Sequence, residues 1–173
     1  MPRLHFTHRR LLAACCLSLS AVGILGCSPT PEPEPTPAPA FASEEEAFAA
    51  AEETYRAYND AGNVAGQPSQ FLTGAALEGD LETSRYLQQQ NLTLSGPSTV
   101  HSFRGNEFDW AEQVATVTAE VCLDVSLTRI LDEGGADVTP SDRAETWLLL
   151  VTFIGSEEQL LIADSITISG RTC

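Results

Sequence analysis

Asp164 stands in the run Leu160, Ile162, Asp164, Ile166, Ile168, where strict strand alternation would put its carboxyl on one face with four aliphatic side chains. Such burial raises a carboxyl pKa and makes a general base. His101, in Thr99-Val100-His101-Ser102-Phe103, is the acid or base that could work beside it on a small hydrophobic or carbonyl substrate. A β-bulge at Asp164 would turn it instead to solvent or backbone amides, and a lone histidine in a strand is commonly a satisfied sheet residue; these are the readings preferred here. Asp124 reads as a solvated or capping carboxylate. Tyr55 and Tyr58 have the helical spacing of core residues, with the lining of a pocket as the second reading. Asp132, Glu133 and Asp137 flank Gly134-Gly135 but lack the ligand order and terminal Glu of a calcium loop, so a hairpin turn is expected. No metal and no cofactor is expected.

The elements that would position these residues change character along the chain. Ser43 and Glu46 have capping-box spacing, and Phe48, Ala51, Tyr55 and Tyr58 then form one helical face, with Glu52 and Arg56 paired on another and Gly62 as the stop. A second helical stretch from about Phe71 to Gln89, weakened by Gly74 and Gly79, is expected in two pieces. After Gly96-Pro97 the period becomes two. Val117, Ala119, Val121, Leu123, Val125 and Leu127 share one face of a strand over 114–127, and 98–108, 146–154 and 159–169 are further strands. Helices first and strands afterwards predict an α+β layer structure with an antiparallel sheet.

The chain has 173 residues, enough for one ordinary domain, and a net charge of -15. Every basic residue is arginine, and beyond Cys27 six arginines face 24 acidic residues. A surface of that sign offers no groove for nucleic acid and no polybasic patch for lipid.

Arg3, His5, His8, Arg9 and Arg10 precede an uncharged apolar run from Leu11 to Leu25, the layout of an export signal, too short and too interrupted to span a bilayer. Arg9-Arg10 alone does not separate the general from the twin-arginine route. The run ends Ile24-Leu25-Gly26-Cys27, which resembles the lipobox of bacterial lipoproteins. The resemblance implies cleavage after Gly26, a lipid thioether and further acylation, such as palmitate, on Cys27, and anchoring on the extracytoplasmic side of the cell membrane. Residues 1–26 are then a signal peptide, and 27–40 are the lipidated Cys and a stalk. Proline at every second position from 29 to 39 fixes φ and excludes helix, so SPTPEPEPTPAPA extends as a polyproline spacer of about 40 Å. Asn91-Leu92-Thr93 is a glycosylation sequon that a bacterial lipoprotein does not use.

With Cys15 and Cys16 removed and Cys27 lipidated, Cys122 and Cys173 remain, and two thiols in an exported chain suggest one disulfide. Pairing would place Cys122 on the more polar side of its strand, with Glu120 and Asp124. It would also remove the thiol that a nucleophile needs.

An anchor, a Pro/Thr/Glu stalk, SEEEAFAAAEETYRAY, a central VCLDVS strand and a terminal Cys together resemble the NTF2-like lipoproteins of actinobacteria, whose function is mostly unassigned. The resemblance spans residues 41–173. It implies an NTF2-like (cystatin-like) cone, with amino-terminal helices packed on a bent antiparallel sheet and a pocket at the wide end. The leading functional expectation is a membrane-anchored lipoprotein whose domain binds a small ligand or an envelope protein without chemistry. The alternatives are a pocket enzyme using Asp164 with His101 or a tyrosine, and a structural or interaction role for the acidic surface in the envelope. A homodimer through the open sheet face is compatible with the resemblance.

Overall fold

A computed structural model describes residues 40–64, 66–111 and 113–173. The signal peptide, Cys27 and the stalk up to residue 39 lie outside the described residues. The structure is α+β: two helices packed against antiparallel sheets.

Helix α1 spans Glu44–Asn63 and begins at Ser43, whose extended backbone (φ -154°) lets its hydroxyl accept from the Glu46 amide at 3.2 Å. Glu46 reaches back and accepts from the Ala42 amide at 2.8 Å, one residue before the cap itself. Ala51 and Tyr55 are buried as the spacing predicts, Phe48 and Tyr58 are partly buried beside them, and Ala47 and Asn59 complete the buried face. Gly62 does not stop the helix. Asn63 carries it one residue further because its side chain and that of Asn59 are fastened to Ser98: Asn59 Nδ2 and Asn63 Nδ2 donate to the Ser98 carbonyl at 3.1 and 2.9 Å, and the Ser98 amide donates to Asn63 Oδ1 at 2.9 Å.

Between Phe71 and Gln89 the structure has one helix, α2 over Gly74–Gln89, rather than the two pieces expected, and a single 3-10 turn over Pro68–Phe71 precedes it. Leu72-Thr73 separates turn from helix, and Gly79 is accommodated inside α2. Gly74 takes φ +52°, and a Cβ there would press on the Ala163 carbonyl at 3.2 Å.

Strands β1 (Thr93–Ser95), β2 (Thr99–Ala111), β3 (Val114–Asp124), β4 (Arg129–Leu131), β5 (Thr146–Ser156) and β6 (Gln159–Thr167) form two antiparallel sheets, a four-stranded one in the order β2-β3-β5-β6 and a two-stranded pair β1-β4. The small sheet was not expected, since three residues are too few to show a period. The inner face of β3 is Ala115, Val117, Ala119 and Val121, all fully buried beneath α1, which is the alternation read from the sequence. Leu127 departs from it. The strand ends at Asp124, and Leu127 lies exposed in the turn that follows.

Three one-residue register shifts, at His101, Asn106 and Ala163, interrupt the long strands. Each inserts an unpaired residue and increases local bend and twist. Phe48 packs on Gly105 so closely that a Cβ at position 105 would collide with its ring.

Candidate functional site

The register shift in β6 decides where Asp164 points. Phe153 pairs with Ile162 but Thr152 pairs with Asp164, so Ala163 is the extra residue. Parity changes there. Leu160 and Ile162 face the core, whereas Asp164 and Ile166 share the outer face with Thr152 and Leu150. Asp164 is partly exposed and accepts from the Ser165 amide at 2.8 Å. The Ile162 carbonyl, freed at the bulge, instead accepts from the Thr73 amide at 2.8 Å, and Leu72 bridges Ile162 in parallel, which docks the start of α2 onto the sheet edge.

His101 is the unpaired residue of the first bulge in β2 and is exposed. Strands β2 and β6 are the two edges of the four-stranded sheet, about 14 Å apart across three strand spacings, and His101 is also offset along the strands from Asp164, which lies level with Glu107 of β2. The acid-base pair weighed from the sequence is therefore not assembled. His101 lies nearer Asp124, whose pKa is lowered first by the hydrogen bonds it accepts from the Ser126 backbone and hydroxyl, and last by the imidazole. Asp124 Oδ1 accepts the Ser126 amide at 2.8 Å and caps the turn after β3, as expected of it.

Tyr55 and Tyr58 pack ring against ring, with centroids 5.8 Å apart. Burial pushes both hydroxyls above the ordinary tyrosine range, helped at Tyr55 by Tyr58 and at Tyr58 by Asp80 of α2. Tyr55 belongs to the core and Tyr58 packs against it, as their helical spacing suggested, and neither lines the two depressions along α1. In the 129–139 hairpin Asp132 Oδ1 accepts from the Gly134 and Ala136 amides at 2.9 and 2.8 Å, and Asp137 accepts from Thr139 and pairs with Arg129 at 3.4 Å. These carboxylates close a turn. No cluster of three metal-ligating side chains occurs among the described residues.

The outer face of β3 carries an arrangement that sequence reasoning reached only in part. Cys122 and Cys173 are joined in a disulfide with Cα atoms 5.5 Å apart, and Cys122 pairs across the ladder with Leu148 on the side shared by Glu120 and Asp124, as expected. The chain after β6 crosses this face as a strap. Arg171 donates to both oxygens of Glu120, at 2.6 and 3.2 Å, while Arg104 of β2 donates to Oε2 at 2.8 Å. The two guanidiniums hold the Glu120 carboxyl down at about 2. The only sequence signal for this was the parity of Glu120 with Cys122. The distance in sequence of Arg104 and Arg171 hid the rest.

Two depressions lie along α1, and both are open to solvent. One is a shallow dish on its exposed face, around Ala49, Glu52, Arg56 and Asp60. The other, of about 440 Å³, lies between α1, the 3-10 turn and the β5–β6 turn, with Ala57, Phe71 and Leu161 in its walls and Glu53, Glu157 and Glu158 at its rim.

No family model matches the chain, and no curated protein matches it either. Among solved structures, the intermembrane space region of the chloroplast protein ARC6 is similar, with a TM-score of 0.49 and 13% identity, over 74% of this chain and 98% of that one.

Proposed function

We propose that the chain is a lipoprotein anchored through Cys27 on the extracytoplasmic side of the cell membrane, carrying an NTF2-like domain that binds an envelope partner without performing chemistry. The observation that carries this reading is the Cys122–Cys173 disulfide. Such bonds persist where the compartment is oxidising, and the arginine-rich start, the apolar run and Leu25-Gly26-Cys27 supply the route to such a compartment. Among the described residues no helix is long and apolar enough to cross a membrane, so attachment in this reading falls to the lipid. Helices first, then an antiparallel sheet bent by three bulges, support the NTF2-like cone.

A binding role on the surface is favoured over a pocket enzyme by the placement of the acid-base candidates. Asp164 and His101 occupy opposite sheet edges, and Phe48, Phe153 and Ile162 occupy the space between helix and sheet. The strap across the outer face leaves less room for two copies to pair face to face, which argues for a different protein as the partner. The test is metabolic labelling with a palmitate analogue, followed by membrane fractionation. The wild type is expected to carry label and sediment with membranes; Cys27→Ser is expected to lose both. Label retained on the Cys27→Ser variant would overturn the anchor.

A further inference from the structure

The arginines of the domain are almost all engaged internally. Arg56 pairs with Glu52, Arg104 and Arg171 with Glu120, and Arg129 with Asp137, while Arg143 donates to the carbonyls of Val125 and Thr128. None of these reaches Glu53, Glu157 or Glu158, the three carboxylates at the rim of the 440 Å³ groove. The backbone that carries Glu157 and Glu158 is fixed by a tight turn. The two glutamates form the two-residue turn between paired Ser156 and Gln159, beside Gly155, whose φ of +144° and close approach to the Gln159 carbonyl exclude a side chain. Beside them the wall carries an apolar strip, Ala50, Ala57, Phe71 and Leu161, partly exposed, with Leu160 buried behind, interrupted by Thr54, Gln70 and Gln159. The groove thus combines three exposed carboxylates that none of these arginines contacts with an apolar strip beneath them, in a depression open to solvent.

We propose that this groove docks a basic polypeptide segment of the partner, in which arginine or lysine side chains meet Glu53, Glu157 and Glu158 while a neighbouring aliphatic side chain lies on Phe71 and Leu161. The proposal rests on the partner-binding reading above and names the site and the partner's chemistry. The charge of the whole domain draws cations to its surface in general. What singles out the groove is the apolar strip under the rim, because a purely electrostatic encounter gains nothing from an aliphatic residue.

The experiment is a fluorescence-anisotropy titration of the purified full-length protein with two short labelled peptides, one alternating Arg and Leu, the other alternating Arg and Ser. The Arg/Leu peptide is expected to saturate and to bind several-fold tighter than the Arg/Ser peptide. Three partly exposed pairs worth about 0.5 kcal/mol each correspond to about tenfold in affinity, so the variant E53Q/E157Q/E158Q is expected to weaken binding by about that factor. The variant E78Q/E82Q/E133Q removes the same charge elsewhere and is expected to change it less than twofold. Equal weakening by both variants, equal affinity for both peptides, or no saturation overturns the proposal. The partner-binding reading is checked separately: a photocrosslinker placed on α2 or the outer sheet face that traps a discrete envelope protein on intact cells would uphold that reading even if the groove fails.

Discussion

At the scale of single residues, Glu120 is where the electrostatics concentrate. Its carboxyl is lowered from an ordinary 4.5 to about 2, chiefly by the hydrogen bonds from Arg171 and then Arg104. A carboxylate depressed in the folded state adds stability that is complete above its unfolded value and is lost as pH falls through the folded one. The strap should therefore hold without change above about pH 4.5 and weaken progressively toward pH 2. An NMR titration of the Glu120 side-chain carboxyl is expected to find its midpoint near 2, and a midpoint near 4.5 would mean that the two arginines do not hold it. Gly105 makes a second residue-scale prediction. Because a Cβ there collides with the Phe48 ring, Gly105→Ala forces the ring out of its place against the sheet. Overpacking of this kind costs about 1–3 kcal/mol, to be read from urea denaturation. Neither residue announces itself in the sequence. Glycine in a strand signals a bulge or a close approach without naming the neighbour, and Glu120 is one of 24 acidic residues.

At the scale of elements, what was legible was what is local. Ser43 and Glu46 fix the start of α1 through contacts within four residues, and the inner face of β3 is continuous, so both could be read directly. Asp164 shows where such reading fails. Period two holds along β6 only as far as Ile162; one inserted residue, Ala163, then sends Asp164 outward, and nothing in β6 itself records the insertion. The cause is long-range, since the bulge presents the Ile162 carbonyl to Thr73 at the head of α2. Removing Ala163 would make Ile162 and Asp164 neighbours in a regular ladder, each keeping its present face, and would abolish the bulge that presents the Ile162 carbonyl to Thr73. A deletion of Ala163 is expected to lower the thermal unfolding midpoint by loosening the head of α2 from the sheet edge, while Ala163→Ser, which keeps the residue count and the bulge, leaves the midpoint near that of the wild type. The junction of α1 with β2 was equally hidden. Asn59 is a buried polar residue whose amide serves the Ser98 carbonyl and whose oxygen accepts the Ser98 hydroxyl at 2.6 Å. Asn59→Ala removes one of two donors to the Ser98 carbonyl and the shorter of the hydroxyl's two contacts, Asn63 keeping the others, and should cost about 0.5–1.5 kcal/mol of stability, measured by chemical denaturation.

At the scale of the whole molecule, the disulfide and the Glu120 cluster act on the same segment from two sides, and their coupling can be measured. Cys122 and Cys173 are 51 residues apart, and closing a loop of that length stabilises the folded state by roughly 4 kcal/mol on the chain-entropy account. Cutting the bond should do more than remove that restraint on the unfolded chain. With Cys173 free, the strap keeps the Ile168 amide's bond to the Leu148 carbonyl and the bidentate contact of the half-exposed Arg171 with Glu120, a pair of the kind worth little alone. The variant Cys173→Ser is therefore expected to lose stability by about the loop-closure amount and, in the same molecule, to let Arg171 leave Glu120. The Glu120 titration reports the second event independently of the first. Its midpoint should rise from about 2 toward, but not as far as, the ordinary 4.5, because Arg104 sits on β2 and does not depend on the strap. A variant that loses stability while Glu120 still titrates near 2 would show that the arginine contact holds the strap without the disulfide, and the two devices would then be separate rather than coupled.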